Sequence, residues 1–381
     1  AGKGMIARVP ARTASLIGVP TDVGASARGA SMGPEALRVA GLREAILRRG
    51  MQVIDRGNLS GPANPCELRD GGYRHLQEVI EWNRSLHGAV LAELASNRLP
   101  IVLGGDHSIG IGSISAVARH CRERGRKLRV LWLDAHSDFN TAEISPSGNL
   151  HGMPVACLCG FGPPELVATG GERHALRPEW LRLIGIRSVD DEEARFVYQQ
   201  GLEVFDMRCI DEIGVREAMT QALAGIDAET HLHVSFDVDF LDPQIAPGVG
   251  TTVRGGPSYR EAQLCMEMIA DTGQLGSLDV VELNPALDVR NQTAALAVEL
   301  IESLLGKATL VRRPAMGRRR ARGPEKSREL PRVERIDHPD AGLFKVSPVA
   351  GRHFKSMDEG RGCNHAVLDR HRLAGRPETG K

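Results

Sequence analysis

The chain has 381 residues, 41% of them hydrophobic and 25% charged, with 48 basic side chains balanced by 48 acidic ones. That is an ordinary soluble globular composition with enough length for a sizeable core. Seven scattered cysteines, with Cys157 and Cys159 too close for a zinc CxxC, argue against a disulfide framework and for a reduced, cytoplasmic setting. No uncharged apolar run reaches the roughly 18 residues that cross a bilayer, which excludes a membrane-spanning helix.

The opening AGKGMIARVPARTASL lacks the apolar core of a secretory signal, and Met5 is read as the natural start. From residue 10 onward, short apolar runs alternate with helical spacing. ASLIGVP comes first, then PEALRVAGLREAILRRG, which Pro34 and Gly50 bracket as a single amphipathic helix. MQVID, LPIVLGG, LRVLWLDAH, LRLIGIRS, LEVFD, HLHVSFDVD and SLDVVEL complete a set of eight strand-like runs. Strands alternating with helices predict an α/β fold, a parallel sheet covered on both faces, over residues 10–314. Residues 315–381 lose this periodicity, carry 16 Lys or Arg against 9 Asp or Glu, and read as a basic, mostly disordered tail. Stacking aromatics are not interleaved with its charges, so no nucleic-acid binding is expected of it.

In such sheets ligands bind beyond the carboxyl ends of the strands. There the chain places GGDHS after LPIVL, DAHSD after LRVLWL, DVDFLDP after HLHVSF, and Glu282 after SLDVV. Residues i, i+2 and i+4 of an extended strand end project to one side. Asp134, His136 and Asp138 can therefore converge, as can Asp237 and Asp239, and His107 adds a sixth ligand. Four carboxylates and two imidazoles without thiolate suit Mn²⁺, with Co²⁺ or Ni²⁺ as substitutes, and do not suit a structural zinc. Four carboxylates overcharge one ion but match a pair sharing bridging groups. Any one motif alone reads more simply as a hydrogen-bonded turn or a helix cap; their joint occurrence at three strand ends carries the metal reading.

GGDHS, DAHSDFNT, SPSGNLHGMP, SFDVDFLDP, GTTVRGG and VVELNP together resemble the ureohydrolases, in the arginase form of the family, over roughly residues 12–314. The resemblance implies a three-layer α/β/α sandwich with a central eight-stranded parallel sheet, two Mn²⁺ ions, and a homo-trimer or homo-hexamer. It implies conversion of L-arginine and water to L-ornithine and urea through a metal-bridging hydroxide. By similarity, His107, Asp134, Asp138 and Asp239 would hold one ion, and Asp134, His136, Asp138, Asp237 and Asp239 would be shared across the pair. Asp138 would pass a proton to the departing amine, His151 would shuttle protons to solvent, and Glu282, beside Thr251, would meet the guanidinium.

For the amino-acid end of the substrate, Asn140 and Ser147 resemble donors to the α-carboxylate, and Asp190 resembles the acceptor of the α-amino group. Ser188 stands where many relatives carry Asp, a departure that could reroute contacts through water. Each also has a plainer role: Ser147 and Asn140 as turn residues, Asp190 as the N-cap of the following helix, Glu282 as half of a salt bridge. Agmatine or another guanidino or amidino compound is the alternative substrate class. A non-catalytic metal-bound scaffold is the alternative of another kind.

Overall fold

Each of the eight apolar runs forms a strand: β1 (Thr13–Gly18), β2 (Gln52–Asn58), β3 (Leu99–Leu103), β4 (Lys127–Leu133), β5 (Leu181–Ile184), β6 (Glu203–Phe205), β7 (Thr230–Asp237) and β8 (Leu275–Val281). The computed structural model describes residues 12–63, 65, 72–171 and 174–310, so Met5 and the tail 315–381 lie outside the described residues. The strands pair in parallel throughout, in the order β2-β1-β3-β8-β7-β4-β5-β6. β3, β7 and β8 are buried along their whole length, as strands covered on both faces must be, whereas β2 at the edge is largely exposed.

Two apolar layers flank the sheet, and alternation along β4 assigns them. Leu131 and Leu133 pack with Leu37, Ile46, Met266 and Ile301 on one side; Val130 and Trp132 pack with Leu86, Ile111 and Val117 on the other. The result is the expected three-layer α/β/α sandwich around one eight-stranded parallel sheet.

One local expectation fails. The stretch bracketed by Pro34 and Gly50 forms two helices, Gly33–Val39 and Leu42–Arg48, rather than one. Gly41 between them takes φ +85°, a left-handed conformation that glycine adopts freely and that ends the first helix. The break lets both short helices turn an apolar face to the sheet, through Ala36 and Leu37 in the first and Ala45 and Ile46 in the second.

β3, β8, β7 and β4 are consecutive neighbours at the centre of the sheet. The four polar motifs at their carboxyl ends are therefore brought together although 175 positions separate His107 from Glu282.

Candidate metal centre and substrate cavity

His107 opens a short turn after β3, capped by Asp106, whose carboxylate accepts the Ser108 N–H. Its imidazole lies flat against the Trp132 indole, with ring centroids 3.8 Å apart and planes 5° from parallel. Nε2 meets the Ser235 hydroxyl at 2.8 Å, which fixes the ring and leaves Nδ1 for the centre. Three carboxylate oxygens crowd that nitrogen: Asp134 Oδ2 and Asp237 Oδ2 at 3.0 Å each, and Asp138 Oδ2 at 3.3 Å. Nδ1 is nonetheless buried without a hydrogen bond. A lone-pair nitrogen ringed by oxygens in no hydrogen-bonding geometry is a donor set for a cation.

A second group adjoins the first. His136 Nδ1 lies 3.0 Å from Asp239 Oδ2 and 3.4 Å from Asp134 Oδ1. His107, Asp134 and Asp237 thus form one set able to hold a metal ion, and Asp134, His136 and Asp239 form another, with Asp134 common to both. The apportioning differs from that implied by the family resemblance, since Asp237 rather than Asp239 stands beside His107. The reason is local: Asp237 ends β7, and its carboxylate accepts the Asp239 N–H at 2.7 Å, turning the backbone so that the two acids face opposite histidines.

Electrostatics point the same way. Burial and the neighbouring Asp134 push the Asp138 carboxyl well above its ordinary range, and burial with Asp239 and Asp134 does the same to Asp237. Burial opposes protonation of His136, but Asp239 and Asp134 prevail and raise it to about 12. So many buried carboxylates repel one another unless positive charge lies among them. All donors are carboxylate or imidazole, and the residues fit a pair of divalent cations.

The centre forms one end of a cavity of about 130 Å³ whose lining includes His136, Asp138, Asn140, His151, Ser188, Asp190, Glu193, Thr251 and Glu282. Thr251 Oγ1 donates to Asp239 Oδ2 at 3.1 Å. Glu282 Oε1 accepts the His107 N–H at 2.8 Å and meets His151 Nδ1 at 2.9 Å. Burial opposes ionisation of Glu282, but His151 holds its pKa below the ordinary value. Asp138 and Glu282 both adopt positive φ, +50° and +62°, which is strained for a residue other than glycine and here aims two carboxylates into the cavity.

Of the residues assigned to the amino-acid end, Asn140 and Asp190 line the cavity. The Asn140 Oδ1 is buried and makes no hydrogen bond. Asp190 is the N-cap of the helix Asp191–Gln199 by position, yet its side chain makes no cap hydrogen bond. Ser147 is not among the lining residues: it is exposed, and its Oγ accepts the Asn149 N–H at 3.2 Å, the plainer turn role. Ser188 joins the lining through a bridge of its backbone to His136.

Four residues that matter to the centre went unread in the sequence. Trp132 donates Nε1–H to Asp134 Oδ2 at 2.9 Å, and Ser235 holds His107. Glu193 accepts both the Ser137 hydroxyl at 2.5 Å and the Phe139 N–H at 2.8 Å, so it grips the chain on either side of Asp138. Asp106 accepts the Gly24 N–H at 2.9 Å, and burial with the repulsion of Glu282 raises its pKa to about 6. The polar positions 231, 233 and 235 on one face of an otherwise apolar strand could have flagged Ser235; Glu193 carries no local signal beyond being an acid in a first helical turn.

The arginase family profile matches residues 12–306. The arginase of Bacillus caldovelox is 45% identical over 296 residues, covering 77% of this chain and 98% of its own. The solved native structure of arginase from that organism superposes with a TM-score of 0.74, covering 78% of this chain and all of that one. Entamoeba histolytica arginase, solved in complex with L-ornithine, follows at 31% identity and a TM-score of 0.71, over 78% of this chain and 99% of that one. A hypothetical agmatinase from Burkholderia thailandensis is more distant, at 26% and 0.57, over 77% of this chain and 85% of that one. With this match over most of its length and the metal-capable centre at the carboxyl ends of its central strands, the chain belongs to the arginase family.

Proposed function

We propose that the protein hydrolyses L-arginine to L-ornithine and urea with two divalent cations, Mn²⁺ foremost and Co²⁺ or Ni²⁺ as substitutes. The observation that carries this reading is the pair of ligand sets sharing Asp134 at one end of a cavity that also holds Asn140, Asp190 and Glu282. His107, Asp134 and Asp237 would hold one ion, Asp134, His136 and Asp239 the other, with Asp138 beside the first. Two such cations supply a water of lowered pKa as the nucleophile.

The chain's own groups do the rest. Glu282 spends Oε1 on His107 and His151, and Oε2 accepts from the planar guanidinium of the substrate. Asp138, held in its strained conformation in the cavity wall, carries the proton that the departing amine nitrogen takes. His151, half-buried and hydrogen-bonded to Glu282, returns a proton to solvent. Thr251 orients Asp239. Asn140, whose amide oxygen makes no hydrogen bond and whose two amide orientations are interchangeable, offers its N–H to the α-carboxylate, and the Asp190 carboxylate, which makes no cap hydrogen bond, accepts from the α-ammonium.

The family resemblance supports a homo-trimer or homo-hexamer. The described cysteines are all free thiols, which supports a cytoplasmic location. No helix among the described residues is long and apolar enough to cross a membrane. Residues 315–381 are proposed as a basic appendage outside the catalytic domain. The direct test is Mn²⁺-loaded protein with L-arginine, assayed for both products. Urea and ornithine in equal amounts are expected; metal binding without either product would remove the catalytic reading.

A further inference from the structure

A cavity lined by cationic side chains lies at the end of the sheet opposite the metal centre. β4 spans seven residues, Lys127–Leu133, so its two ends lie about 20 Å apart at roughly 3.3 Å per residue. Around its start opens a cavity of about 430 Å³ whose polar lining is Arg122, Arg126, Lys127, Arg129, His174 and Arg177, with no carboxylate among the described lining residues. That volume falls within the range of small-molecule sites. The remaining surface is apolar, with Cys121, Leu128 and Trp180 prominent in it.

Among the described residues, two of these guanidinium groups donate to backbone carbonyls and to no carboxylate. Arg126 donates only to backbone carbonyls, Nη2 to Thr230 O at 2.9 Å and Nε to Glu229 O at 3.3 Å. Arg129 makes one long bond, from Nη2 to Ala224 O at 3.5 Å, while its Nη1 is buried and makes none. Burial and the neighbouring Arg182 hold the Arg129 pKa below the ordinary arginine value, against the opposing influence of Glu203. A buried guanidinium N–H without an acceptor is costly, and guanidinium forks bind phosphate and carboxylate through charge-assisted hydrogen bonds. In the same lining the Arg177 guanidinium lies 5.5 Å over one face of the Trp180 ring.

We propose that this cavity is a second binding site, for a small anion with a flat apolar body: a phosphate or carboxylate set between Arg126 and Arg129, with its ring against Trp180. The site is separate from the metal centre and does not rest on the reaction assigned there.

Calorimetric titration of the metal-loaded protein with 1-naphthyl phosphate and with 1-naphthoate, at constant ionic strength and with Trp180 fluorescence followed in parallel, tests the proposal. Saturable binding of one molecule per chain is expected, at least tenfold tighter than inorganic phosphate and weakened at least tenfold by Arg129→Gln and by Arg126→Gln. The preference between phosphate and carboxylate names the anionic group, and either supports the site. Arg129→Gln removes a side chain with a single long bond, so its melting temperature should stay close to the parent's and report binding cleanly. Absence of saturation, affinity unchanged in both variants, or binding abolished by EDTA, which would place the ligand at the metal centre, overturns the proposal.

Discussion

Replacing Glu193 tests whether the loop that presents Asp138 is held from behind. Its Oε1 accepts from Ser137 Oγ at 2.5 Å and from Phe139 N at 2.8 Å, and between them Asp138 keeps φ at +50°. Such a conformation costs about 1–3 kcal/mol for a residue with a side chain. Phe139 adds an anchor, packing on Phe196 of the same helix with ring centroids 4.9 Å apart. Glu193→Leu removes both acceptor contacts at similar volume. Each hydrogen bond to a charged group contributes about 1.5–3 kcal/mol, and relief of the buried charge returns part of that, for a net loss of about 2–4 kcal/mol. The melting temperature should fall by about 3–7 °C for a folded domain of this size. A shift of Asp138 by about 1 Å should lower kcat/KM for urea release by about 10²-fold. Glu193→Gln keeps an oxygen at the same place and should stay within about fivefold of the parent, the difference of about 1 kcal/mol between charged and neutral acceptors. Parent-like turnover in Glu193→Leu, or a Gln variant as damaged as the Leu variant, would refute the reasoning, the first because the loop holds itself and the second because charge rather than the acceptor matters.

Asp138→Asn should lower kcat by at least about 10²-fold with the fold intact by circular dichroism, since an amide cannot carry the proton; turnover near the parent's would sink that role. Removing divalent metal with EDTA should lower the melting temperature, because the ion binds only the folded chain and at a thousandfold excess over Kd adds about 4 kcal/mol; an unchanged melting curve would contradict the ligand assignment. Glu302 gives a pH signature away from the site. Its carboxylate accepts from Arg48 Nε and Lys307 Nζ, both at 3.0 Å, and chiefly through Arg48 its pKa is lowered from 4.5 to about 2. A folded-state pKa below the unfolded one stabilises at high pH and is lost on acidification. Glu302→Gln should therefore cost about 1–2 kcal/mol at pH 7, allowing for solvent at the exposed Arg48, and the difference from the parent should shrink as pH falls from 4.5 towards 2. A penalty constant with pH would assign the effect to packing instead.

The sheet was legible because its strands are short apolar runs and their ends carry the polar motifs. Adjacency of β3, β8, β7 and β4 is what makes those ends one site, and periodicity carries no information on strand order. Gly41 falls inside the stretch that Pro34 and Gly50 bracket as one helix, and only its left-handed backbone shows that it ends one. The candidate metal ligands were legible because i, i+2 spacing at a strand end forces convergence, whereas their grouping into two sets depends on how Asp237 turns the backbone. Glu193 and Trp132 act across sequence distance or by stacking, neither of which leaves a local pattern. Ser147 shows the converse: close in sequence to the cavity, it is not among the lining residues, and its hydroxyl oxygen accepts the Asn149 N–H of its own turn.

The central claim is that this centre acts on an amino acid through its guanidinium. The measurement that tests it most directly is kcat/KM for urea release by the Mn²⁺-loaded protein with L-arginine and agmatine offered side by side. A preference for L-arginine of at least about 10²-fold is predicted, because agmatine leaves Asn140 without the α-carboxylate it would bind. Equal or better turnover of agmatine would keep the metal chemistry and contradict the substrate assignment.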